Sequence, residues 1–242
     1  MRSSRSKPDP LDPGPADFAH RGLHGPGISG THIPENSVAA FRAALAVGAG
    51  IETDLRLSAD GVPMIFHDRD AMRLCGSTVV CSATSADELG TLRLSGGEER
   101  IPRLSDLLAL TAGRVPLLLE LKTEGNAARF ARAVTEGLRA YSGPVGVMSF
   151  DPRVAVWLAA HAPGVRRGLA LSGGGGTLSR WVSLWRARPQ FLAVERTELS
   201  WRWTIRARRR LPVYSWTIQS PEERAQAAVQ ADALIWETDG RP

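Results

Sequence analysis

The chain has 242 residues, 43% hydrophobic and 23% charged, the balance of a single globular domain and not of a disordered or fibrous protein. Lys and Arg outnumber Asp and Glu by 30 to 25, a mild excess that favours anionic partners such as phosphates, nucleic acid or acidic lipid without choosing among them. No apolar run reaches the roughly 18 residues that a membrane span needs, and the first residues lack the apolar stretch of a secretory signal, so a cytoplasmic protein is expected.

Residues 1–15 read as a flexible N-terminal tail, because Arg, Ser, Lys, Pro and Asp dominate and no apolar period appears. Residues 16–242 then read as one barrel domain. Short apolar runs predict strands at 17–20, 50–57, 115–121, 145–150, 167–171, 190–194, 213–217 and 233–236. Helical patterns at 37–47, 105–111, 127–141, 152–160, 178–186, 201–209 and 221–229 lie between them. Asn36 or Ser37 would cap the first helix, and Asp151-Pro152 and Ser220-Pro221 suit helix starts. Strands alternating with helices close most simply as an α/β fold, a (β/α)8 TIM-type barrel, with a doubly wound open sheet as the competitor. Two irregularities are expected. Residues 61–101 form an insertion after the second strand, with an extra short strand at 64–67, and the sequence ends at Pro242 before a full eighth helix, a side the tail could cover. Cys75 and Cys81 are too few for a disulfide framework and match no zinc spacing, so reduced thiols are expected.

The chemistry gathers at predicted strand ends. The strand period of two puts Glu52, Asp54 and Arg56 on one face of the second strand, opposite Ile51, Leu55 and Leu57. In the third strand it puts Glu120 and Lys122 opposite Leu117, Leu119 and Leu121. Carboxylates converging at one barrel mouth repel unless a positive charge sits between them, and an oxygen-preferring divalent cation, Mg2+ or Ca2+, fits there. His20 ends the first strand and His67 the short extra one, so two groups able to exchange protons near neutral pH stand beside the carboxylates. Arg21 and Lys122 add fixed positive charge suited to phosphate oxygens.

These residues resemble the glycerophosphodiester phosphodiesterases. The likeness runs from His20-Arg21-Gly22 through Pro34-Glu35-Asn36-Ser37, Glu52-Thr53-Asp54, Asp60-Gly61-Val62-Pro63 and His67-Asp68. It continues with Leu119-Glu120-Leu121-Lys122, Ser149-Phe150 and Tyr214-Ser215-Trp216-Thr217, and ends in Thr238-Asp239. The resemblance implies a TIM-like barrel in which Glu52, Asp54 and Glu120 bind the metal and His20 and His67 act as acid and base. It further implies that Glu35 and Asn36 shape the mouth, Trp216 walls the site, and Arg21 and Lys122 contact substrate. The implied reaction releases an alcohol from a small-molecule glycerophosphodiester and leaves glycerol 3-phosphate, with the substrate's neighbouring hydroxyl attacking phosphorus before water completes the hydrolysis.

The segment 23–33 is longer than the family's usual link and Gly-rich, with His24 and His32 in it; it reads as a surface loop. Gly173 to Gly176 reads as a connection, since it lacks the Lys-Ser/Thr of a phosphate-binding loop. Tryptophans 181, 185, 201 and 203 interleave with arginines; packing on the barrel is favoured over a weak peripheral contact with anionic membrane. Glu195 ends a strand and either touches substrate or pairs with Arg196 or Arg202. Nucleic-acid binding is not expected. The alternatives to a glycerophosphodiesterase are a related lysophospholipid or sphingolipid phosphodiesterase and a non-catalytic phosphodiester-binding barrel.

Overall fold

The computed structural model describes Asp9 and residues 11–26, 32–173 and 177–242, with the side chains of 177–179 excepted. Eight parallel strands form the barrel: β1 (Phe18–Ala19), β2 (Gly50–Leu57), β3 (Leu117–Leu121), β4 (Val145–Met148), β5 (Arg166–Leu171), β6 (Phe191–Glu195), β7 (Val213–Ile218) and β8 (Ala233–Trp236). Closure is made by β1, which pairs on one side with β8 (Phe18 opposite Ile235) and on the other with β2 (Phe18 opposite Gly50). The barrel expectation holds, and the open sheet does not. The covering helices are α1 (Val38–Ala46), α2 (Leu104–Thr111), α3 (Ala127–Gly137), α4 (Pro152–His161), α5 (Thr177–Ala187), α6 (Arg202–Arg208) and α7 (Pro221–Ala228).

Alternation along the strands separates two apolar layers. Residues such as Ile51, Leu55, Leu117, Leu119, Leu192 and Leu234 face outward against the helices. Phe18, Leu118, Met148, Ala170, Phe191, Tyr214 and Ile235 fill the barrel interior. Inside, the Phe191 ring stacks on Tyr214 with centroids 5.0 Å apart. A β-carbon at Gly168 would lie 2.3 Å from the Phe191 ring, so that strand position must be glycine for the interior to close around it. Apolar floor and polar mouth are therefore opposite ends of one packed barrel interior.

The end of the N-terminal segment differs from the expected tail. Leu11 is buried among the interior residues at the floor. Asp9 accepts a hydrogen bond from the Tyr214 hydroxyl at 2.6 Å and pairs with Arg166 at 2.7 Å. One leucine in a Pro- and Asp-rich stretch has no period, which is why the sequence pattern hides it. Residues 1–8 and 10 lie outside the described residues, as do 27–31 of the expected loop and 174–176 of the glycine run.

The insertion after β2 is a small unit of its own. Its strand is Pro63–Ile65, antiparallel to β2 and shorter than expected, followed by helical turns at Met72–Cys75 and Ala86–Leu89. Met64, Phe66, Leu74, Cys81, Leu89, Leu94 and Ile101 form its core. Both cysteines are free, and burial pushes each thiol up to about 11. Among the tryptophans, Trp203 is buried beneath Arg180, which lies 4.6 Å from its ring, whereas Trp185 is exposed. No helix among the described residues is long and apolar enough to cross a membrane.

Because Leu11 fills the floor, Leu11→Ala is expected to lower stability by ~2–5 kcal/mol, the range for a buried leucine cut back to alanine. Denaturant unfolding measures this, and a change within about 0.5 kcal/mol, typical of a surface site, would show that the segment is not part of the core.

Candidate active site

The period of two delivers three carboxylates to one place. Glu52 and Asp54 point inward from β2, and Glu120 points inward from β3, where it pairs in register with Asp54. All three are buried, and one oxygen from each lies within 4.8 Å of the others. Burial and the neighbouring charges of Asp54 and Glu120 push the Glu52 carboxyl well above the usual carboxylate range. Burial pushes Glu120 up to about 7 against the pull of Lys122. Burial also disfavours the Asp54 carboxylate, but Lys122 and Arg21 outweigh it and hold that carboxyl well below its ordinary value.

Those two cations are the expected ones. Lys122 Nζ lies 2.6 Å from Glu120 and 3.2 Å from Asp54, and Arg21 Nε lies 3.2 Å from Asp54. Arg21 has a φ of 56°, which turns its backbone N–H onto Glu52 at 3.1 Å while its guanidinium reaches Glu35 at 2.8 Å. Asn36, also left-handed at φ 56°, donates from Nδ2 to Asp54 at 3.1 Å and accepts from the Thr53 hydroxyl at 2.7 Å. Non-glycine residues adopt that conformation only where surrounding contacts hold them. Of the two expected caps, it is Ser37 whose hydroxyl accepts from Ala40 N and starts α1; Asn36 is committed to the carboxylates. Glu35 sits between Arg21 and Arg73, at the rim rather than among the buried acids.

Both expected histidines reach the mouth, each anchored through Nδ1. His20 Nδ1 lies 2.7 Å from Glu237 Oε2, and His67 Nδ1 lies 2.8 Å from Asp68 Oδ1. An ionised carboxylate only accepts, so Nδ1 carries the proton in both rings and Nε2 is the nitrogen left to gain or give a proton at the mouth. The Nε2 of His20 is 3.9 Å from Glu52. Burial lowers the pKa of His67, against the opposing pull of Asp54. Arg56, on the inward face of β2, donates twice to the His67 carbonyl, at 3.0 and 2.7 Å, and so holds the loop that carries His67.

Glu237 is the participant that the sequence reading passed over. Its carboxyl is held well below the usual range, chiefly by the His20 hydrogen bond, and Gln219 donates to its other oxygen at 2.6 Å. The signal was present in the period of β8, which points Ala233 and Ile235 inward and hence Glu237 two residues on. The opposite wall carries Trp216, packed edge-on against Phe150 at 5.7 Å. Glu195 lies opposite Trp216 in register. Arg196 pairs with Glu223 instead, and no ion pair of Glu195 occurs among the described residues.

Three buried oxygen donors of like charge fit a hard divalent cation such as Mg2+ or Ca2+, which takes carboxylate ligands. In the metal-free protein, the proton kept by Glu120 contributes stability that is complete below its ordinary pKa of 4.5 and is lost as pH rises through about 7. A cation held by the three carboxylates would take over that role above about pH 7. The melting temperature is thus expected to rise on adding Mg2+ or Ca2+, more at about pH 8 than at about pH 5.5, and to fall back with EDTA. Glu120→Gln is expected to reduce the pH difference, with Glu52 carrying what remains; a shift independent of pH in the unaltered protein would count against Glu120 as a ligand.

Comparison with known proteins agrees with this geometry. The sequence pattern of the Glycerophosphoryl diester phosphodiesterase family matches residues 20–238. A glycerophosphodiester phosphodiesterase of Caldanaerobacter subterraneus is 32% identical over 114 residues, 44% of this chain and 44% of that protein. Glycerophosphodiester phosphodiesterase 1 of Mus musculus is 37% identical over 99 residues, 37% of this chain and 28% of that protein. The matched stretches thus span less than half the length of these curated relatives. Among solved structures, an Oleispira antarctica phosphodiesterase in complex with the product sn-glycerol-3-phosphate superposes with a TM-score of 0.79 at 25% identity, covering 92% of both chains. A Thermotoga maritima glycerophosphodiester phosphodiesterase, 24% identical with a TM-score of 0.73 over 90% of this chain and 92% of that one, shares the fold. The chain belongs to the glycerophosphoryl diester phosphodiesterase family.

Proposed function

We propose that this protein hydrolyses glycerophosphodiesters to an alcohol and glycerol 3-phosphate, with a divalent cation held by Glu52, Asp54 and Glu120. The observation that carries this reading is the convergence of those carboxylates with His20 and His67 at one barrel mouth. Family membership and the product complex of the Oleispira relative support it.

The bound cation would supply Lewis-acid stabilisation of the charge that builds on the phosphoryl oxygens. The chain's own groups do the rest. Arg21 and Lys122, already aimed at the carboxylates, offer fixed positive charge to the same oxygens. A substrate hydroxyl next to the ester attacks phosphorus, its proton passes to the free Nε2 of one neutral histidine, and the leaving alcohol oxygen takes the Nε2 proton of the other, which enters the step as its imidazolium and leaves it neutral. Water then opens the cyclic diester by the reverse proton traffic. The carboxylate anchors on Nδ1 hold both rings in the tautomer that leaves Nε2 available and stabilise each imidazolium as it forms. Phe150 and Trp216 form an aromatic wall against the bound diester.

Purified protein is expected to release glycerol 3-phosphate from glycerophosphocholine and glycerophosphoethanolamine only with Mg2+ or Ca2+ present. His20→Ala is expected to reduce turnover by at least about a hundredfold, the scale of a lost proton-transfer group, and Glu52→Ala to do the same by loosening the cation. Absence of product with every diester and metal would overturn the assignment.

A further inference from the structure

A second group of metal-binding type stands beside the first and differs from it in donor chemistry. One ligand atom each of His20, His24 and Glu237 lies within 4.8 Å of the others. Glu237 Oε2 is the centre of the group, 2.7 Å from His20 Nδ1 and 3.5 Å from His24 Nε2. A tetrahedral ion with bonds of about 2.0–2.1 Å spaces its ligand atoms about 3.4 Å apart, so small side-chain movements suffice to close around one. Two further features point to a ligand. His24 Nε2 is buried, and its contact with Glu237 is a long one of 3.5 Å that leaves it short of a full hydrogen bond. Gln219 occupies the other oxygen of Glu237, which fixes the carboxylate with Oε2 turned toward the two imidazoles, as an outer partner does in a metal site.

We propose that His20, His24 and Glu237 form a site for a borderline divalent ion of the Zn2+ type, distinct from the all-carboxylate site, and that its occupation switches the enzyme off. Two imidazoles and one carboxylate select zinc-like ions over Mg2+ and Ca2+, for which the oxygen-only group is suited. The consequence for turnover follows from the tautomer of His20. With a proton on Nδ1, donated to Glu237, Nε2 has a lone pair and can cycle a proton at the mouth. With a metal ion on Nδ1, the neutral ring must carry its proton on Nε2, and the cycle stops.

Binding rests on the geometry alone, whereas inhibition rests also on the phosphodiesterase reading, so two measurements are needed. Titration of Co2+ into protein saturated with Mg2+ is expected to give the visible absorption of a four-coordinate ion with nitrogen ligands, displaced by Zn2+. His24→Gln and Glu237→Gln are each expected to lose that signal. In the activity assay with saturating Mg2+, Zn2+ is expected to inhibit, and His24→Gln to raise the inhibiting concentration at least about tenfold, the effect of losing about 1.4 kcal/mol of binding. Absence of the cobalt signal, or a signal unchanged in both variants, overturns the site. A cobalt signal that His24→Gln removes, together with undiminished turnover at saturating Zn2+, keeps the site and overturns the switch. Absence of turnover without Zn2+ bears on the phosphodiesterase reading and leaves the cobalt result standing.

Discussion

Mutual repulsion among Glu52, Asp54 and Glu120 is the constraint around which the mouth of this barrel is arranged. Three carboxylates buried within reach of one ion cannot all be charged without compensation, since each unpaired buried charge costs several kcal/mol. The chain answers with two cations and two directed donors. Lys122 comes from the strand that carries Glu120, two residues on; Arg21 and Asn36 come from left-handed turns after β1 and before α1. The turns are strained because their backbone and side chains must face the acids at once, with Arg21 N reaching Glu52 while its guanidinium reaches Asp54. Strain of this kind lies where function is built.

The other end of the barrel makes that concentration of charge tolerable. Leu11, Phe18, Phe191 and Tyr214 close the floor, and glycines in β4 and β5 leave room for them: a β-carbon at Gly146 would lie 2.4 Å from Leu11, as one at Gly168 would meet Phe191. With the floor sealed by apolar packing, water and ions approach the acids from the mouth alone, and the low dielectric beneath them strengthens every pairing above. Burial of Leu11 and the shifted acidities of Glu52 and Glu120 are thus two aspects of one arrangement.

Much of this was legible because strands impose a period of two. That period alone placed Glu52, Asp54 and Glu120 together and set Lys122 beside them, and the alternation of strands with helices gave the barrel. What escaped were features without a local period. Leu11 stands alone in a polar stretch, so nothing in the sequence distinguishes a plug from a tail. Helix ends were misjudged where a non-repeating turn continues the apolar pattern, as after α3, which ends at Gly137 although Leu138 remains buried. Glu237 continues the inward face of β8, but it lies just beyond the apolar run of that strand, so the strand period reaches it without an apolar neighbour to mark it.

The two histidines illustrate why equal first contacts do not make equal groups. Each donates from Nδ1 to a carboxylate, yet Asp68 is also bound by the Arg73 guanidinium at 2.6 Å, whereas Glu237 is flanked by the neutral amide of Gln219 and by His24. A fixed guanidinium repels any further cation, so the His67 anchor can exchange only protons. Among the described residues no guanidinium pairs with Glu237, and its neighbours His20 and His24 are of a type that binds metal ions. The same kind of hydrogen bond orients both rings, but on one side a guanidinium stands beyond it and on the other an imidazole. The difference lies in the residues one contact further out, Arg73 against His24, and not in the histidines themselves.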